Sequence, residues 1–366
     1  MLEAKKFKTW IEINEDALRN NIGVFRRTIT EKTKLMAVVK SNAYGHGIVV
    51  FSKLADELGI DGFCVDSVIE GRTLRLAGIK KPILVLGWTL PAIFEEAVKN
   101  DITITISNAE SLEALSKSHY KPFFHLKIDT GMHRQGFYVE DMNHIFEKYK
   151  NECVLYCRGI YTHFASAGTL FSQKAFTDEQ YKKFEEVINS AREYGITNIV
   201  RHMAATGGTI MDPRYHADWV RVGAGLYGFL SHPQLMPVLS WRTLISEIKE
   251  VRKGACVGYD LTEKINNPTK IAVLPIGYWH GMPRAFSSIG KVLVGGKEAK
   301  IIGRVSMDIT VCDVGSIDCV VGDVATLIGK DGKSELRAGD LAEQIDSIHY
   351  ELLTRLNPLM ERIITH

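Results

Sequence analysis

A chain of 366 residues, 45% hydrophobic and 24% charged with a formal net charge of +2, is long enough for one large domain and a smaller one. That near-neutral balance gives no electrostatic case for nucleic acid or an anionic membrane as partner. MLEAKKFKTWIEINEDAL at the start has no apolar signal core. No run approaches the roughly 20 apolar residues that span a bilayer, so a cytoplasmic location is expected.

From residue 34 onward, apolar strand-like runs alternate with amphipathic helical stretches. The strand candidates are 35–39, 62–65, 83–87, 102–106, 123–128, 154–164, 198–205 and 219–227. Between them, Ile48, Phe51, Leu54, Ala55 and Leu58 share a helical face over 48–58, and residues 178–194 repeat the pattern. Thr177 and Gln180 offer a capping box before that second helix, with Gly195 as its stop. Eight strand–helix units predict an α/β fold, an N-terminal (β/α)8 TIM-type barrel over 1–235, with an open doubly wound sheet as the alternative. After about residue 235, short β-type runs divided by Gly, Asn and Asp predict a mostly-β C-terminal domain over 236–366, closed by a helix over 339–356.

The six cysteines form no Cys-x-x-Cys pair and read as buried free thiols, and no metal site is expected. GAGLYG at 223–228 follows a strand but runs into two prolines, which argues against a dinucleotide-binding helix. GKDGKS at 329–334 reads better as a hairpin turn than as the end of a phosphate loop.

In either architecture chemistry belongs at the C-terminal ends of the strands. The first strand candidate, LMAVV, ends there on Lys40. A strand-end lysine either reaches solvent or serves as a desolvated amine, nucleophile or base. Its company favours chemistry: Tyr44 follows in a Gly- and His-rich turn, and Lys127, His163, Thr206 and Arg221 stand at other strand ends.

AVVKSNAYGHG resembles the pyridoxal-phosphate motif of the alanine racemase family. KIDTGMHRQG, YTHFA, VRVGAGLYG, VGYD, LPIGY and GRVSMD follow in family order, so the resemblance covers essentially the whole chain. It implies a pyridoxal 5'-phosphate enzyme in which Lys40 is the Schiff-base lysine and then a base on one face of the substrate Cα. The second base would be Tyr259, supplied by the partner subunit of a homodimer with shared active sites. A phenol needs help to work near neutrality, and a network with Tyr278 would supply it. The resemblance sets Arg221 against the pyridine nitrogen, His202 behind it and His163 against the ring. Guanidinium donates but does not readily give up a proton, which limits electron flow into the ring.

Tyr44, Thr206 and the amides of Gly223 and Ala224 would hold the phosphate. Arg134 would meet the substrate carboxylate, with Met307 and Asp308 entering from the partner. Lys127 matches a lysine that is often carbamylated, an anion that would orient Arg134. Five residues depart from the pattern: Ala205 for asparagine, His133 for glycine, Trp279 and His280 for a small residue and an aspartate, and Arg355 where some members place a phosphate tyrosine. The resemblance implies racemisation of alanine, with D-alanine supplied to peptidoglycan. The alternatives are a racemase for serine or basic amino acids, a decarboxylase on the same barrel, and a cofactor-binding regulatory protein.

Overall fold

The computed structural model describes residues 6–167, 173–230 and 232–366. Strand β1 (Thr9–Asn14) precedes the barrel, whose wall is built from β2 (Lys34–Val38), β3 (Gly62–Val65), β4 (Ile83–Trp88), β5 (Thr103–Ile106) and β6 (Phe124–Asp129). A short β7 (Phe137–Tyr138) pairs with β6 at its edge, and β8 (Cys157–Tyr161), β9 (Val200–Ala205) and β10 (Trp219–Val222) complete the wall. All neighbours pair in parallel in the order β5-β4-β3-β2-β10-β9-β8-β6, and β5–β6 pairing closes the ring. Closure rules out the open sheet. Buried Leu35 and Ala37 of the first wall strand, and Val39 just past its end, join Val65, Ile104, Leu126 and Val222 in one core, because strands covered on both faces have no solvent side to make polar.

Both chain ends enter the second sheet. β1 pairs antiparallel with Leu239–Leu244 and parallel with Glu361–Thr365, although its position in the chain falls inside the span expected for the barrel. Asn14 then caps the helix Glu15–Thr28 through Ala17 N, with Glu15 and Asp16 in its first turn and Arg26 and Arg27 in its last, as the helix dipole favours. The rest of that seven-stranded sheet is antiparallel, and a three-stranded sheet (Glu247–Val251, Thr269–Leu274, Thr310–Asp313) stands beside it. The mostly-β expectation holds.

Several local expectations need correction. Residues 154–156 are not strand: they close the helix Lys150–Tyr156, which buries Cys153 while Val154 and Leu155 face solvent, and the strand begins at Cys157. The helix expected at 178–194 begins at Lys174, so Thr177 lies in its first turn and donates to Gln173 O rather than capping. Gln180 is buried and uses its amide on Ala165 N and Thr130 Oγ1. The closing helix is two short ones, Ala338–Glu343 and His349–Thr354, separated by a turn in which Asp346 has φ 53°. GAGLYG gives a single helical turn, Ala224–Tyr227, and the 329–334 segment is a hairpin. Of the thiols, Cys256 is exposed and Cys319 half-buried.

Candidate active site

At the C-terminal end of β2 the backbone reverses its hand. Ser41, Asn42, Ala43 and Tyr44 all have φ between 52° and 57°, a left-handed turn that costs non-glycine residues about 1–2 kcal/mol each. Its anchors are specific. Glu70 Oε1 accepts from Ser41 N at 2.7 Å, Asn42 Oδ1 accepts from Ile48 N at 2.8 Å, and Arg362 donates to Gly45 O at 3.0 Å. Gly45 has φ 86°, and a side chain there would strike the Leu353 carbonyl of the second domain. The turn thereby places Lys40 and Tyr44 on one cavity.

That cavity, of about 640 Å³, is lined by Lys40, Tyr44, Lys127, Arg134, His163 and Thr206 and by Arg221, Gly223 and Ala224. Nine of the expected site residues therefore meet in one place. His202 lies directly behind, its Nδ1 2.6 Å from Arg221 Nη1. Arg221 also donates to Thr162 O, Met203 O and His163 Nδ1, which fixes its plane. Burial and the neighbouring cations, Arg221 first among them, push His163 down to about 3, so this ring is neutral.

The four cations Lys40, Lys127, Arg134 and Arg221 face Asp66, whose carboxylate lies 3.7 Å from Lys40 Nζ. Such a surplus calls for anionic groups on a ligand. In the same cavity Thr206 Oγ1 accepts from Gly223 N at 3.2 Å and Gly225 N at 3.3 Å, while Tyr44 packs against the half-buried Tyr350 at 5.8 Å between centroids. Accepting both amides leaves the Thr206 hydroxyl proton to point outward, and with the Ala224 amide and the tyrosine hydroxyls it makes an anion cradle.

Arg134 is carried by a loop wrapped around one carboxylate. Asp129 accepts from the N–H groups of Gly131, Met132, His133 and Arg134 at 2.9–3.1 Å. Burial raises Asp129, but those four donors outweigh it and hold the group below the usual carboxylate range. His133 takes φ 54°, the conformation for which glycine is frequent at this place in the motif. Burial and the nearby guanidinium of Arg134 lower Lys127 to about 8, and its Nζ donates to Gln135 Oε1 at 3.0 Å.

Tyr259, Tyr278, Met307 and Asp308 do not line this cavity. All four are exposed in the second domain, where Tyr278 N donates to Ser306 O and Trp279 N to Met307 O, joining the loops that carry Tyr278, Met307 and Asp308. Tyr259 is 69% and Met307 55% exposed.

Among the departures, Ala205 lines the cavity and starts the helix Thr206–Met211 without a side-chain cap. His280 is buried under the Gly277 turn, its Nδ1 accepting from Gly277 N, while Trp279 is exposed. Arg355 does not line the cavity and pairs with Glu351. Tyr350 is the second-domain tyrosine at the cavity. Sequence reasoning missed it, together with Asp66 and Gln135; Asp66 stands one residue past a strand end, which was signal enough.

Comparison with known proteins agrees with this layout. The sequence model for the alanine racemase N-terminal domain matches residues 13–231, and that for the C-terminal domain matches 238–364. The chain is 37% identical to an alanine racemase of Leptospira interrogans over 98% of this chain and 96% of that one. Among solved structures, the alanine racemase of Bacillus anthracis with bound L-Ala-P superposes with a TM-score of 0.89 at 31% identity, covering 98% of this chain and 95% of that one. The histidine racemase of Leuconostoc mesenteroides superposes with a TM-score of 0.88 at 29% identity, covering 98% of each.

Proposed function

The chain belongs to the alanine racemase family and is an isomerase, and from that premise we propose that it interconverts L- and D-alanine with pyridoxal 5'-phosphate at the barrel mouth. The observation that carries the reading is the convergence of Lys40, Arg134 and Arg221 on one cavity with a hydroxyl-and-amide cradle. That donor set suits the cofactor: an amine for its aldehyde, a donor-only guanidinium for its ring nitrogen, and Tyr44, Tyr350, the Thr206 hydroxyl and the Ala224 amide for its phosphate, the expected Gly223 amide being spent on Thr206 Oγ1. When bound, the cofactor supplies an aldehyde for the amino group and an acceptor for the electron pair left at Cα.

The protein's own groups do the rest. Arg134 binds the substrate carboxylate, and the Asp129-centred loop holds it in place. Lys40 moves a proton on one face of Cα. The opposite face needs a second base, and none of the same subunit's Tyr259, Tyr278, Met307 and Asp308 lines the cavity. Tyr259, exposed with Tyr278, Trp279 and Met307, is suited to reach the cavity of a second copy. The active unit is accordingly a homodimer in which the partner subunit's Tyr259 is the second base and the partner's Met307 and Asp308 close the site.

A second reading is racemisation of a basic amino acid. It is favoured by a structural likeness to a histidine racemase nearly as high as that to an alanine racemase, and by Trp279 on the face that would meet the cavity. Chiral analysis of cofactor-loaded protein incubated with L-alanine, L-serine, L-lysine or L-histidine in D₂O separates the two. Fastest formation of deuterated D-alanine supports the alanine reading, and fastest turnover of histidine or lysine replaces it. Absence of Cα exchange with every substrate overturns the racemase assignment of this chain's site.

A further inference from the structure

Arg221 is backed by two buried imidazoles in series. Its Nη1 donates to His202 Nδ1 at 2.6 Å, and His202 Nε2 faces His125 Nδ1 at 2.8 Å. Guanidinium has donors and no acceptor, so His202 Nδ1 must present its lone pair. A neutral His202 then carries its proton on Nε2 and donates it to His125 Nδ1, which leaves the His125 proton on Nε2. Burial and the charge of Arg221 keep both rings neutral, pushing His125 down to about 3.

The surroundings hold the rings in place. Tyr161 stacks on His202 at 4.6 Å and 8°, and Trp219 lies against both rings at 5.3 Å and 5.5 Å. His125 of β6 pairs in register with Gly159 of β8, where a Cβ would lie 2.6 Å from the imidazole. The neighbouring strand is bare of a side chain where this ring sits.

We propose that His125 is a positioning residue for the isomerase reaction: its Nδ1 lone pair fixes the His202 tautomer and, through it, the orientation in which Arg221 presents N–H groups to the cavity. The proposal rests on the cofactor-facing role given to Arg221 above. Without His125, Arg221 retains the carbonyls of Thr162 and Met203, so it stays in place but loses the restraint from behind. The chemical step should suffer and substrate binding should not.

The test has two readouts. Nitrogen-15 histidine NMR of the full chain, with and without cofactor, should show His202 and His125 each protonated on Nε2 and bare on Nδ1, unchanged between about pH 5 and 9. Kinetics of the loaded enzyme should show His125→Leu lowering kcat about tenfold with KM little changed, the worth of one buried hydrogen bond. His125→Asn, which can still accept, should restore both kcat and the His202 resonances. Gly159→Ala, which keeps the imidazole but displaces it, should resemble His125→Leu and serves if that variant does not fold.

A His202 proton on Nδ1, or a doubly protonated ring, overturns the network whatever the enzyme's activity. The expected resonances with unchanged kcat in His125→Leu and Gly159→Ala overturn the positioning role. If Arg221→Lys also leaves kcat unchanged, it is the reading of Arg221 that has failed, with the hydrogen-bonded chain intact.

Discussion

Lys127 Nζ donates to Gln135 Oε1 across 3.0 Å inside a cavity that also holds Lys40, Arg134 and Arg221. Burial first, and then the charges of Arg134, Arg221 and Lys40, make its charged form costly and push it down to about 8. The folded state therefore binds fewer protons at this lysine than the unfolded chain between about pH 8 and the ordinary lysine value near 10.4. By linkage, stability rises with pH through that window, and the full penalty applies below it. Lys127→Met should be the more stable protein at pH 7, its advantage over the parent shrinking toward pH 10. Denaturant melts at both pH values check the sign.

The same neutral amine is the form that attacks carbon dioxide, releasing a proton and leaving a carbamate. Protein equilibrated with carbon-13 bicarbonate should show one carbamate resonance that disappears in Lys127→Met. Arg134 should then bind substrate more weakly in that variant, as a KM increase. A spectrum without the resonance would leave Gln135 as the lysine's partner and remove the carbamate from the reading.

The proposed sharing of active sites between subunits makes a stoichiometric prediction. Lys40→Ala and Tyr259→Phe homodimers should each be nearly inactive. Dissociated and reassociated in equal amounts, half the dimers are mixed, and each mixed dimer holds one complete site. About a quarter of parental activity should return if exchange is random and the interface isologous. If each subunit supplies both bases to its own cavity, mixing restores nothing.

Tyr350 and Arg355 separate two assignments for the C-terminal segment. Tyr350 faces Tyr44 at the cavity, and Arg355 pairs with Glu351 on the surface. Tyr350→Phe should weaken cofactor binding about tenfold or more, the range for one hydrogen bond to a charged group. Arg355→Ala should bind as the parent does. Titration of unloaded protein with pyridoxal phosphate, followed by absorbance, measures both.

The barrel was legible because each wall strand is a short apolar run between polar turns, and Lys40, Lys127, Thr206 and Arg221 stand at or beside strand ends. What escaped depended on contacts far apart in the chain. β1 pairs with strands more than 200 residues away, and Arg362 reaches Gly45 across 317 positions. Residues 154–156 misled because Val-Leu-Tyr suits a strand, while the decisive fact is that Cys153 alone of that turn is buried. Propensity also gives no hint of a left-handed turn through Ser41, Asn42, Ala43 and Tyr44; Glu70 and Arg362 impose it from outside. Arg355 stands in LLTRLNP, where the motif suggested a site residue, but the split of the closing helix sets Tyr350 on the cavity wall while Arg355 pairs with Glu351.

Asp129 offers the sharpest test of how Arg134 is held. Four consecutive backbone N–H groups point at one carboxylate, and His133 adopts φ 54° to let them do so. The folded state favours the charged carboxylate, so its contribution is present above the unfolded pKa and is lost as pH falls through the lower folded value. Asp129→Asn keeps one acceptor oxygen but leaves an amide where donors converge, and should destabilise the protein by roughly 1–3 kcal/mol. Its main effect should be on KM, because Arg134 loses its fixed position while Lys40 keeps its own. His133→Gly should act in the opposite sense, removing a left-handed penalty of about 1 kcal/mol without touching the hydrogen bonds. A raised melting temperature in His133→Gly with unchanged KM, beside a raised KM in Asp129→Asn, would place the control of Arg134 in the carboxylate. Equal KM increases in both variants would place it in the histidine ring.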